Sequence, residues 1–112
     1  MIRFGPAGNS ESFYAQGYKS TWQAPAWLEE MGLDAYEYSF GRGVSLSDEM
    51  ALRIAGEAAA HGVALSVHAP YFINLANPDP DKREASFRYI TESARLAALL
   101  GASEPTLVAM AT

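Results

Sequence analysis

Three times in 112 residues the chain passes from a short alternating apolar run, through a loop, into a helix-length segment. Strands that each lead into a helix before the next strand lie parallel, joined by right-handed crossovers. Ile2-Arg3-Phe4-Gly5 alternates and meets a turn at Gly5-Pro6, which makes it the first strand. Ala7 to Thr21 mixes glycines, serines and Asn9 with Phe13, Tyr14 and Tyr18 and has no steady helical period, so it reads as a long ordered loop. Ala24 to Met31 is a short helix with Pro25 in its first turn, Gly32 as its stop, and Trp27, Leu28 and Met31 on one side. Ala35 to Phe40 alternates as the second strand, and Ser47 caps a helix through Ala60. His61 and Gly62 close that helix, the histidine favoured by the helix dipole. After a third strand around Leu65 and Val67, Asp79 and Pro80 open a helix running to Leu100. Its apolar stripe reads as Phe87, Ile90, Ala94, Ala97 and Ala98. Pro105 to Met110 is a possible fourth strand.

Alternation sorts the strands into two faces. Arg3, Glu37, Ser39, Ser66 and His68 share one, while Phe4, Tyr36, Tyr38, Leu65 and Val67 share the other. An open doubly wound sheet has helices on both sides and would be apolar on both, whereas a barrel turns one face inward. The expected fold is therefore α/β, a partial TIM barrel of parallel strands with three βα units and that possible fourth strand, in a single domain over residues 1–112. A closed barrel needs about 250 residues. On the inward face Arg3 and Glu37 are expected to pair, because either charge alone would be costly there. Both sheet edges stay open, and Tyr36 and Leu65 are expected to lack part of their cover, which predicts a homo-oligomer or a missing carboxy-terminal barrel part as partner.

A net charge of −5 gives the chain no general basic surface with which to collect phosphates, although a bound metal would reverse the sign locally. With no cysteine there is neither a disulfide nor a thiolate metal site, leaving nitrogen and oxygen ligands. No apolar run reaches the roughly 18 residues of a membrane span, and Met1 leads directly into a strand, so no membrane is expected and the expected location is cytoplasmic.

The densest stretch is Leu65-Ser66-Val67-His68-Ala69-Pro70-Tyr71-Phe72-Ile73-Asn74-Leu75. Pro70 holds Ala69 extended and ends the strand, so His68 stands at its C-terminal tip, the edge where βα folds gather their ligands. An imidazole there can ligate a metal or act as a general base. His61, by contrast, reads as helix-end structure.

Together with Phe4-Gly5-Pro6-Ala7-Gly8, Tyr36-Glu37-Tyr38 and Gly41-Arg42-Gly43, the run from His68 to Leu75 resembles the endonuclease IV family, over roughly Ile2 to Ala102. That family consists of apurinic/apyrimidinic endonucleases within the xylose isomerase-like TIM barrels. The resemblance implies a hydrolase of DNA repair that cleaves the phosphodiester beside an abasic site with a cluster of divalent metals, usually zinc. By the same resemblance His68 is a metal ligand, and Tyr71, Arg42 and Asn74 contact DNA, Tyr71 as the inserted aromatic and Arg42 through a loose match of its loop. Such parts suit the chemistry, since metals generate hydroxide and an aromatic wedge can stack where the lesion leaves a gap. Where the family carries a second ligand histidine, this chain has Val108-Ala109-Met110, and the family's other ligands lie further along. The metal site is thus expected to be incomplete and the isolated chain inactive. A sugar isomerase or epimerase of the same superfamily is the alternative reading, and a self-associating barrel fragment without catalysis is another.

Overall fold

The computed structural model describes residues 2–40 and 43–101. In chain order the elements are α1 (Glu11–Ala15), a 3₁₀ turn (Thr21–Gln23), α2 (Ala24–Glu30), β1 (Ala35–Ser39), α3 (Asp48–Ala60), β2 (Ala64–His68) and α4 (Pro80–Leu99). The architecture is a partial TIM barrel whose parallel strands form an open sheet. β1 and β2 pair in parallel with Tyr36 beside Leu65, Tyr38 beside Val67 and Ser39 beside His68. Gly41, Arg42 and the possible fourth strand at 105–110 lie outside the described residues.

The expected first strand is a looser companion of β1. Phe4 offers its carbonyl to the amides of Asp34 and Ala35 at 3.1 and 3.2 Å, Glu37 donates to Pro6 at 3.0 Å, and Gly8 donates back to Glu37 at 3.0 Å. Its one bridge pairs Ala7 with Glu37, two residues beyond the run Ile2 to Gly5. Pro6 has no amide hydrogen to donate, so a continuous ladder cannot form through it. Gly5 lies so close to β1 that an added Cβ would sit 1.5 Å from the Ala35 carbonyl oxygen.

Inside the expected loop 7–21 the chain makes α1, started by Ser10, whose Oγ accepts from the Phe13 amide. Phe13 is fully buried, stacked on Tyr18 and edge-on to Tyr14 and Trp27. Five residues are too few to show a helical period, which is why only the Ser10 cap signals this turn. In α2 Trp27 and Leu28 are buried, but Met31, at the helix's C-cap, is 47 % exposed and not part of its core side.

α3 follows its sequence signals closely. Ser47 Oγ accepts from the Met50 amide, Asp48 and Glu49 occupy the positive end, and Ala51, Ile54 and Ala58 form the buried stripe. Gly62 ends it at φ +67°, a conformation that side chains with a Cβ rarely adopt. His61 ties α3 to α2 through Glu29, with Nδ1 2.7 Å from Oε2. In α4, Asp79 caps and Pro80 leads, as the residues require. The stripe, however, is rotated: Ser86, Ser93, Leu96 and Ala97 are buried, while Phe87 is half exposed and Ala94 and Ala98 face out. Ser86 fixes that rotation by bonding both the amide and the carbonyl of Asn74 in the preceding loop.

The core gathers Phe13, Trp27, Leu28, Tyr36, Ile54, Leu65, Val67, Leu96 and Leu100 between the sheet and the helices. Tyr36 and Leu65 are covered after all, at 4 and 6 % exposure, because α1 to α4 already close that face. What stands uncovered is the outer edge, with Ile2 80 % and Phe4 68 % exposed. Among the described residues no helix is long and apolar enough to cross a membrane.

Candidate functional site

The C-terminal end of β2 carries the candidate chemistry. Leu65 and Val67 turn into the core, which leaves Ser66 and His68 half buried on the opposite face beside Glu37 and Ser39. His68 is anchored through its backbone, its carbonyl accepting from the Phe40 amide at 2.9 Å. Its Nδ1 lies 2.7 Å from the Ala69 carbonyl oxygen. A carbonyl can only accept, so Nδ1 carries a proton, and Nε2 is the ring nitrogen left to meet a ligand. This is how proteins commonly orient an imidazole that meets a ligand through its second nitrogen.

Ala69 and Pro70 are buried, and Ile73 plugs the core at 1 % exposure, so the loop is pinned on both sides of its aromatic pair. Tyr71 projects at 62 % exposure and Phe72 at 40 %. Their rings meet edge to face at 5.5 Å, and Phe72 in turn meets Tyr89 of α4 at 4.9 Å. Asn74 belongs to the loop's own bracing. Its amide donates to Ser86 and its Oδ1 accepts from the Ala76 amide. Of the expected site residues, His68 at the end of β2 and Tyr71 and Asn74 in the loop that follows therefore fall within seven consecutive residues, while Arg42 lies outside the described residues.

Across the sheet, Arg3, Glu37 and Ser66 border a hollow of about 180 Å³. Arg3 and Glu37 share that hollow without an ion pair or hydrogen bond between them, so the expected pairing is not formed. Arg3 also borders a second hollow of about 410 Å³ at the other end of β2, among Ala58, Ala59, Leu65 and Leu100. An exposed guanidinium beside water does not need the carboxylate that a buried one would. That larger hollow lies at the N-terminal end of the strand, away from His68.

A network with no clear signature in the sequence holds the first loop against the sheet. Tyr36 donates its hydroxyl hydrogen to Asn9 Oδ1 at 2.8 Å, and Asn9 Nδ2 reaches Thr21 Oγ1 at 3.0 Å and the Tyr14 hydroxyl at 3.3 Å. Burial pushes the Tyr36 phenol well above its ordinary pKa, against a smaller opposing effect of Thr21, and pushes Tyr38 up as well. Asn9 sits among glycines and serines, where nothing in the sequence distinguishes it from turn chemistry.

Among the described residues no three His, Cys, Asp or Glu side chains gather closely enough to hold a metal. Catalytic zinc sites use about three protein ligands. His68 offers one, so the described residues do not by themselves fit the metal cluster that endonuclease IV resemblance implies.

Residues 25–111 match the sequence profile of the xylose isomerase-like TIM barrel family. No curated protein sequence matches the chain. Among solved structures, a D-psicose 3-epimerase from Clostridium cellulolyticum H10 with D-tagatose superposes with a TM-score of 0.65 at 21 % identity, over 75 % of this chain and 30 % of that one. A D-psicose 3-epimerase in the presence of D-fructose gives 0.62 at 18 % identity, over the same shares. The chain thus spans about 30 % of the length of these enzymes. Identities this low carry the fold alone, and they do so for sugar epimerases, so the likeness to endonuclease IV holds only at the level of the superfamily. With its parallel strands, its histidine at a strand tip and a profile match across most of its length, the chain belongs to the xylose isomerase-like TIM barrel family.

Proposed function

We propose that this chain supplies the amino-terminal part of an endonuclease IV-like barrel that engages abasic sites in DNA. One observation carries the reading: an imidazole whose Nε2 has no partner among the described residues stands three residues from an aromatic ring that projects, 62 % exposed, from a loop pinned on both sides. A ring held out in this way suits insertion into a base stack, where it fills the gap that the missing base leaves between its neighbours. A sugar pocket instead encloses its ligand. No hydrolytic step is assigned to the described residues, since they lack the donors for the metals. Their part is recognition by Tyr71 and placement of the His68 Nε2 beside the bound strand.

The test is fluorescence anisotropy of this chain with a duplex holding one abasic-site analogue and with the intact duplex. Preference for the abasic duplex is expected to be several-fold and to disappear in Tyr71→Ala. Equal binding of both duplexes would refute the reading. The second reading, a sugar isomerase or epimerase part, is favoured by the D-psicose 3-epimerase neighbours. Saturable binding of D-psicose or D-tagatose, abolished in His68→Ala, without any preference for the abasic duplex would establish it.

A further inference from the structure

Tyr71 is the first of three aromatic rings in contact, and the other two lead away from it onto α4. Phe72 is edge-on to Tyr71, with the planes at 80°, and Tyr89 is edge-on to Phe72, at 83°. The row ends between two hollows that share Tyr89. One, of about 230 Å³, is bordered by Phe72, Lys82 and Tyr89, and the other, of about 430 Å³, by Val44, Arg88 and Tyr89. Lys82 and Arg88 are both exposed and, among the described residues, take part in no salt bridge. The carboxylate that shares Arg88's hollow is Glu92, and Arg95 already occupies it through Nε and Nη2 while also reaching Asp48. Two uncommitted cations therefore flank an aromatic row in a chain whose net charge is −5.

We propose that this row is a DNA track: one strand leaving the abasic site runs from Tyr71 over Phe72 to Tyr89, with its backbone phosphates against Lys82 and Arg88. This rests on the abasic-DNA reading for the identity of the partner, and on charge complementarity and ring placement for the path. Aromatic faces accept any base, and cations beside them hold the backbone, which is the combination that binds a strand without reading its sequence. Free phosphate or a small sugar would use the cations or the rings, and only a strand uses both. Lys82 and Arg88 thus set affinity, and Tyr71 sets the preference for the lesion.

The experiment repeats the anisotropy titrations on the two duplexes across a salt series with the Lys82→Gln/Arg88→Gln double variant and with Lys19→Gln, a charge change in the connection between α1 and the 3₁₀ turn. The double variant is expected to bind both duplexes about tenfold more weakly at low salt and to flatten the slope of log affinity against log salt by about 2, close to 0.9 for each phosphate no longer neutralised. Its ratio of abasic to intact binding should stay that of the parent chain. Phe72→Leu should weaken both duplexes roughly five- to hundredfold, as removal of one stacking platform does. An unchanged affinity and slope in the double variant would overturn the track, and so would an equal loss in Lys19→Gln or the absence of DNA binding by the parent chain. If the parent binds both duplexes equally and the double variant still flattens the slope, the track stands and the abasic-site reading fails. Both substituted side chains lie in solvent, so the variants keep the parent fold, as matching circular dichroism and melting will register.

Discussion

Gly5 is the residue on which the first segment's approach to the sheet depends. Any side chain there would drive a Cβ to 1.5 Å from the Ala35 carbonyl oxygen, so segment and strand would have to part. Gly5→Ala is accordingly expected to lower stability in urea by roughly 1 to 3 kcal/mol, the usual cost of overpacking. Gly56 in α3 is the internal control, since a Cβ there meets nothing within 4 Å. Gly56→Ala should raise stability by up to about 1 kcal/mol through helix propensity alone. Reversal of the two signs would mean that residues 2–8 do not pack as described. At this scale the sequence is informative where a residue's role follows from its neighbours along the chain. His68 can be placed at a strand tip because alternation and Pro70 fix it locally. Whether Arg3 and Glu37 pair cannot be read in the same way, because it depends on how deeply Arg3 is buried, and burial is set by elements remote in sequence.

Elements are legible in proportion to their length and caps. α3 announces itself through Ser47, Asp48 and Gly62, and α4 through Asp79 and Pro80, whereas α1 is too short for periodicity. The rotation of α4 escapes the sequence pattern because Phe87 looks like core, while the buried side is made of Ser86, Ser93, Leu96 and Ala97. Ser86 is held there by Asn74; the Ser93 hydroxyl is buried without a partner among the described residues. The join between the first loop and β1 has its own pH signature. Burial raises the Tyr36 phenol pKa above its ordinary value of 10.0. Above about pH 10 the unfolded chain therefore gives up this proton while the folded chain keeps it, so folding loses stability as pH rises. The loss has an upper slope of about 1.4 kcal/mol per pH unit for this one tyrosine. Well below about pH 10 both states hold the proton and Tyr36 contributes no pH dependence. Denaturant midpoints measured from about pH 8 to 11 should fall from about pH 10 upward, and less steeply in Tyr36→Phe. An unchanged slope in that variant would show that the phenol is not held in the Asn9 network.

For the whole molecule, the question is how the described strands and helices meet solvent at the margins of the sheet. The helices cover the outward face well, with Tyr36, Leu65 and Val67 all buried. Weakness is instead concentrated at the margin, where residues 2–8 run along one side of β1 and, among the described residues, nothing pairs with their far side. Ile2 and Phe4 stand there at 80 and 68 % exposure. Covering each of these side chains would contribute roughly 1.5 to 3 kcal/mol, which is large against a domain stability of about 5 to 15 kcal/mol. Unpaired backbone groups beside exposed apolar side chains form a template for another chain, and a second copy presents the same edge with the same groups unpaired. The isolated chain is therefore expected to self-associate, with a weight-average mass in sedimentation equilibrium that climbs with concentration and a melting temperature that climbs with it. Ile2→Lys/Phe4→Lys should abolish both trends, because charged side chains block an edge while leaving the buried core untouched. A parent chain that stays monomeric across the concentration series would show that water satisfies this margin and that the partial barrel stands alone.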